Sequence, residues 1–160
     1  GMRVLVFDPY LGSHVAAELE VDLTDLEVVL EESDVISCHV PLTGETRGMI
    51  DLAAISKMKR GAVIVNASRG GVIDESALAD GLHSGRVGGA ALDVYEHEPL
   101  PLDSPLRTAP NLVMIPHLGA STHEAQLGVA VEVAERIRAA LVDGDTSAAV
   151  NANEIKPHKV

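Results

Sequence analysis

Aromatic side chains are nearly missing from this sequence of 160 residues: it has no tryptophan, and Phe7, Tyr10 and Tyr95 are its only rings apart from histidine. A core must therefore be built from Val, Ile, Leu and Ala, and the stacking platforms used by single-stranded nucleic-acid binders are excluded. Positive charge is equally scarce. Twelve Lys and Arg stand against twenty-four Asp and Glu, a formal charge of −12. That balance repels phosphate backbones and anionic lipid, so neither nucleic acid nor a membrane surface is expected as a partner. Cys38 is the single thiol, which rules out an intrachain disulfide and a cysteine-based zinc site and makes a reducing cytoplasm the expected compartment. No stretch approaches the roughly 18 consecutive apolar residues of a membrane helix, and no basic region followed by an apolar run opens the chain. A soluble, untargeted protein with no metal site is expected.

What the sequence does have is a large apolar fraction, 46%, enough for one domain with a substantial core. Residues 1–145 read as that domain. Residues 146–160, ending in NANEIKPHKV, lose periodicity and read as a tail or linker. Short β-branched runs alternate with helical patterns: RVLVFD (3–8), DVISCHV (34–40), AVIVNAS (62–68), GAALDV (89–94) and LVMIPH (112–117). This alternation predicts an α/β fold with a parallel sheet, and runs apolar nearly throughout predict strands covered on both faces. Asp51 is placed to cap a helix that carries Lys57, Lys59 and Arg60 in its last turn and stops at Gly61; Asp74 is placed to cap another ending at Gly85. A third helix begins at Ser121, with Glu124 completing a capping box, and its stripe of Ala125, Val129, Val133, Ile137 and Leu141 should lie on a partner surface, either its own sheet or a second copy in an oligomer.

In open α/β sheets ligands bind beyond the carboxyl ends of the strands. Those ends here carry Asp8, His39, the run Asn66-Ala67-Ser68-Arg69, Asp93 and His117, and five polar ends converging on one rim point to a ligand site. Asp8 could accept bonds from vicinal ribose hydroxyls, or simply form an Asp-Pro turn with Pro9. The glycine fingerprint that should precede such an aspartate is absent, because two residues precede the first strand. Arg69 offers a permanently charged fork suited to a carboxylate, or a surface ion pair of little energetic value. His117 is held by Pro116 at a strand end, and a carboxylate from DVYEHEPLP, Glu96 or Glu98, beside it would favour the charged imidazole. The pair Cys38-His39 has no companion ligands at metal-binding spacing and reads as a buried strand end.

The segments VFDP, HVPLTGETRGMI, GAVIVNASRGGVID, GAALDVYEHEPLP, NLVMIPHLGAST and AAVNANEI together resemble the D-isomer-specific 2-hydroxyacid dehydrogenase family across nearly the whole chain. PHLGASTHEAQ and the closing VNA are most similar to its branch acting on 3-phosphoglycerate. The resemblance implies a Rossmann-like doubly wound sheet, NAD as cofactor and a small 2-hydroxy acid as substrate, with Arg69 holding the substrate carboxylate, Glu98 partnering the histidine and His117 as general acid/base. It further implies that Asp8 holds the adenosine ribose, that Val40, Pro41 and Thr46 lie near the adenosine and phosphates, that Asp93 lies near the nicotinamide carboxamide, and that Ala67, Ser68, Arg69, His117, Gly119 and Ala120 line the cofactor. The family also has a substrate domain and a glycine-rich first βα unit ahead of this segment. In the 3-2-1-4-5-6 strand order the strand of that unit is central, so the segment is expected to be part of a longer, oligomeric enzyme, inactive alone, with unpaired edges on the strands at 3–8 and 34–40. Two rival readings are glyoxylate or hydroxypyruvate reduction, and a non-enzymatic NAD-binding module like the C-terminal-binding-protein corepressors.

Overall fold

Strands and helices alternate in the computed structural model, which describes residues 1–119 and 121–152. It comprises two units, residues 1–117 and the segment from Leu118 onward. The first unit holds strands β1 (Leu5–Val6), β2 (Asp22–Leu23), β3 (Val35–Cys38), β4 (Ala62–Asn66), β5 (Val87–Leu92) and β6 (Leu112–Met114). Between them run helices α1 (Ser13–Glu18), α2 (Leu26–Glu32), α3 (Leu52–Lys57) and α4 (Glu75–His83), and a 3₁₀ turn over Pro105–Thr108. Every strand pair is parallel, in a two-stranded sheet β1-β2 and a four-stranded sheet β3-β4-β5-β6. As expected, β1 and β3 are both edge strands.

The helix boundaries follow from local chemistry. Asp51 Oδ1 accepts the Ala54 N–H at 2.8 Å and Asp74 Oδ1 accepts the Ala77 N–H at 2.9 Å, each satisfying a donor that a helix start leaves unpaired. Past α3, Gly61 adopts φ +81° and its carbonyl lies 2.2 Å from where a Cβ on Gly88 would stand, so the backbones meet there without room for a side chain. Helix α3 ends at Lys57, which leaves Lys59 and Arg60 beyond its last turn. Arg86 then reaches over the end of the helix, its guanidinium donating to the Ser56 and Met58 carbonyls.

The core lies between the four-stranded sheet and helices α3 and α4. Ile36, Ile64 and Ala90 face each other across the β3-β4-β5 register and pack with Ile55, Leu78 and Leu82 in one cluster. Ile64, Val72, Leu78 and Leu106 are wholly buried, each contributing about 1.5–3 kcal/mol by removal from water. Strands covered on both faces are approached only by β4 and β5, where buried residues are interspersed with half-buried ones; β3 alternates exposed and buried residues, and Val35 and Val113 are more than half exposed. Strand β2 is a further departure, too short at two residues to show periodicity.

In the second unit, α5 (His123–Arg138) is followed by a π-helical turn over Ala139–Asp143 and ends at Gly144 with φ +69°. The capping residue is Thr122 rather than Ser121, because the Thr122 Oγ1 accepts the Ala125 N–H at 3.1 Å. The side chains of Val129, Val133, Ile137 and Leu141 are exposed.

Candidate active site

Strand β4 delivers its polar end as a fixed loop. Asn66, 2% exposed, accepts the Ser68 N–H at 3.0 Å and the Ser68 hydroxyl at 2.8 Å on Oδ1, and donates from Nδ2 to the Arg69 carbonyl at 3.0 Å. Its own carbonyl accepts the Asp93 N–H at 2.9 Å, which ties the ends of β4 and β5 together. One amide side chain thus sets the path of 66–69, with Ala67 and Arg69 exposed and Asp93 buried. Arg69 Nη1 donates to the Ser68 carbonyl at 2.7 Å. The next residue, Gly70, is obligatory: a Cβ there would stand 1.8 Å from the Tyr95 carbonyl oxygen.

At the end of β6 the chain turns sharply. The His117 N–H donates to the Ile115 carbonyl at 3.1 Å around Pro116, and His117 takes φ +52°, a left-handed conformation that costs a non-glycine residue on the order of 1–3 kcal/mol and clusters at functional sites. The ring then meets a carboxylate: His117 Nδ1 lies 2.7 Å from Glu98 Oε2. Glu98 Oε1 accepts the Tyr95 N–H at 3.1 Å. The pair with His117, and secondarily the Tyr95 N–H, hold the Glu98 carboxyl below its ordinary range. With Nδ1 committed to Glu98, Nε2 is the nitrogen left to exchange a proton, the arrangement that general acid/base chemistry requires. The acid beside His117 is Glu98; Glu96 instead pairs with Arg47 at 3.6 Å.

Beyond β3 and β4, a cleft of about 400 Å³ is lined by His39, Val40, Pro41, Ala67, Ser68 and Arg69. Thr46 braces its rim, donating from Oγ1 to the Pro41 carbonyl at 2.5 Å and accepting the Thr43 N–H at 2.8 Å. Small apolar walls with a hydroxyl, an imidazole and a guanidinium at the edge fit a nucleotide, whose base is flat and apolar and whose linkers are polar and anionic. A larger depression of about 510 Å³ includes Asp74, Glu75, Glu96 and Asp103 beside Arg47 and has the wrong sign for a dinucleotide. Asp8 lies apart from this cleft's lining, in a turn in which its Oδ1 accepts the Tyr10 N–H at 2.8 Å.

Of the residues expected at the site, then, Val40, Pro41, Ala67, Ser68 and Arg69 share one cleft, with Thr46 bracing it, and Glu98 and His117 are in direct contact. Gly119 belongs to the turn closed by the Ser121 N–H on the Leu118 carbonyl at 2.9 Å, in the second unit. Ala120 lies outside the described residues. Sequence reasoning put His39 in a buried strand end and gave Asn66 no role beyond a polar strand end, whereas His39 is exposed in the cleft wall and Asn66 lies under the loop; it did not single out Tyr95, beside the Glu98-His117 pair. His39 and Asn66 were visible as polar strand ends. Tyr95 had only its rarity as a signal. Among the described residues no group of three or more His, Cys, Asp or Glu could hold a metal ion, and no helix is long and apolar enough to cross a membrane.

Known proteins similar to this chain point to one family. Residues 1–119 match the model of the D-isomer specific 2-hydroxyacid dehydrogenase NAD binding domain. A D-3-phosphoglycerate dehydrogenase from Synechocystis is 45% identical over 98% of this chain and 28% of its own length, and one from Bacillus subtilis is 49% identical over 86% of this chain and 26% of its own length. The chain thus spans about a quarter of the length of these curated relatives. Among solved structures, a glyoxylate reductase from Paecilomyes thermophila superposes with a TM-score of 0.80 at 34% identity, covering 91% of this chain and 44% of that one. The chain belongs to the D-isomer-specific 2-hydroxyacid dehydrogenase family and carries the sequence of its NAD-binding domain.

Proposed function

We propose that the protein containing this chain oxidises a small D-2-hydroxy acid to the 2-oxo acid with NAD, and that its substrate is 3-phosphoglycerate. The observation that carries the reading is the Glu98-His117 pair at 2.7 Å, one strand away from the loop that presents Arg69. Oxidising a 2-hydroxy acid takes a hydride from carbon and a proton from oxygen. His117 accepts that proton at Nε2, and Glu98 on Nδ1 fixes the tautomer and stabilises the imidazolium that forms. Arg69 anchors the substrate carboxylate with its guanidinium fork. Bound NAD supplies the hydride acceptor. Asp8 holds its adenosine ribose, Val40, Pro41 and Thr46 its adenosine and phosphates, and Asp93 its carboxamide, while Ala67 and Ser68 line it.

The choice of 3-phosphoglycerate rests on relatives of that name at 45–49% identity. With it goes our reading of the protein as a cytoplasmic, homo-oligomeric enzyme of serine biosynthesis, with residues 1–145 as the nucleotide-binding part and 146–160 leading towards a substrate domain. The test is turnover by the full-length protein. Production of NADH from 3-phosphoglycerate and NAD supports the reading; faster reduction of glyoxylate or hydroxypyruvate replaces the substrate; NAD binding without turnover of any of these makes the protein a corepressor-like module.

A further inference from the structure

Tyr95 touches each of the segments that carry the proposed catalytic groups. It is the one described aromatic residue that is buried, 8% exposed. Its N–H donates to Glu98 Oε1 at 3.1 Å, fixing the oxygen of the carboxylate that His117 does not use. Its carbonyl is the surface against which Gly70 packs, so the backbone directly after Arg69 is seated on it. Its phenol lies 2.9 Å from the Ile115 carbonyl and 3.2 Å from the Leu92 carbonyl. The Ile115 carbonyl is also the acceptor of the His117 N–H at 3.1 Å, and the Ile115 N–H donates to Leu92 at 3.0 Å. The phenol's single proton therefore sits between the end of β5 and the turn after β6 that holds His117 at its positive φ.

We infer that Tyr95 is a positioning residue that holds the Glu98-His117 pair in register from both sides, by its N–H on the carboxylate and its hydroxyl on the carbonyl that anchors the histidine turn. The inference rests on the acid/base role proposed for that pair. The hydroxyl does not hold the fold together, because the Ile115 carbonyl keeps the His117 N–H and the Leu92 carbonyl keeps the Ile115 N–H when the phenol is removed. Its contribution is to restrain a strained turn. Burial, and then the charge of Asp93, raise the phenol above the ordinary tyrosine range, with Glu75 and Glu98 adding in the same direction. The group thus stays a neutral donor throughout the pH range in which a dehydrogenase is assayed.

Tyr95→Phe in the full-length enzyme removes the hydroxyl and nothing else. The expected result is a fall in kcat of about fivefold, the loss of one hydrogen bond's worth of orientation, with the KM for the hydroxy acid and the Kd for NAD within about twofold of the parent. A loss of stability or a raised KM at parental kcat marks a purely structural role and overturns the inference; so does a variant that matches the parent throughout. His117→Ala run alongside separates the two layers. If it abolishes turnover while Tyr95→Phe changes nothing, only the role of Tyr95 fails; if it leaves turnover intact, the acid/base reading itself is wrong.

Discussion

Glu98 and Tyr95 are three residues apart and joined by a hydrogen bond from the Tyr95 N–H to Glu98 Oε1 at 3.1 Å, which leaves Oε2 turned to His117 at 2.7 Å. The carboxylate is thus oriented from its own loop before it meets a residue nineteen positions later in the chain. Pairing and orientation come from different elements, and that separation lets each be perturbed alone.

Removing the imidazole is the sharpest perturbation. His117→Ala in the full-length protein should lower kcat by about 10²- to 10⁴-fold, the usual worth of general acid/base catalysis, and leave NAD affinity little changed. Steady-state kinetics together with a fluorescence titration of NAD check both halves. A variant that turns over at near the parental rate refutes the role assigned to the ring.

The Glu98 carboxyl sits below its ordinary value of 4.5, chiefly because of His117 and secondarily because of the Tyr95 N–H. A depressed carboxylate stabilises the fold at pH values above its unfolded pKa, and the contribution is lost as pH falls through the lower folded value. The carboxylate's contribution is therefore present at neutral pH and lost in acid. Side-chain NMR of Glu98 should give a midpoint below 4.5 that rises in His117→Ala without regaining the ordinary value, since the Tyr95 N–H remains. A midpoint identical in parent and variant would show that the contact is absent in solution.

Much of this was legible in the sequence, and the limit lies in the range of the interactions. Asp51 and Asp74 announce their helices because a cap acts three residues along the chain. Ser121 and Thr122 can both cap, and a choice between neighbours depends on the backbone path, so the sequence pointed one residue early. The unpaired edges of β1 and β3 followed from strand order. The half-bare faces of β3 and β6 did not, because Val35 and Val113 look apolar whether or not anything covers them. Glu98 and His117 could be paired by residue type, whereas Tyr95 acquires its position only once β5 and β6 lie side by side.

Gly70 gives a test of the loop independent of catalysis. A methyl group there would lie 1.8 Å from the Tyr95 carbonyl oxygen, a distance that only backbone movement relieves. Gly70→Ala should destabilise the protein by about 3 kcal/mol or more, the range reached when overpacking meets rigid backbone, and should lower turnover as Arg69 shifts. Gly44→Ala is the control, since nothing lies within 4 Å of a Cβ there. Equal urea midpoints for the two variants would contradict the packing of the β4 loop on Tyr95.

Cys38 reports on the edge of the sheet. It ends β3, is 5% exposed, and its thiol is pushed up to about 11 by burial. At pH 7.5 about one thiol in 10³ to 10⁴ is then ionised, and the thiolate is the species that reacts. Iodoacetamide should leave Cys38 unmodified for hours in the native protein and alkylate it to completion in urea, with mass spectrometry as the readout. Because β3 is bonded to β4 on one side and is an edge strand on the other, the native rate measures how often that edge opens. Alkylation as fast in the native protein as in urea would mean that β3 does not stay docked on β4.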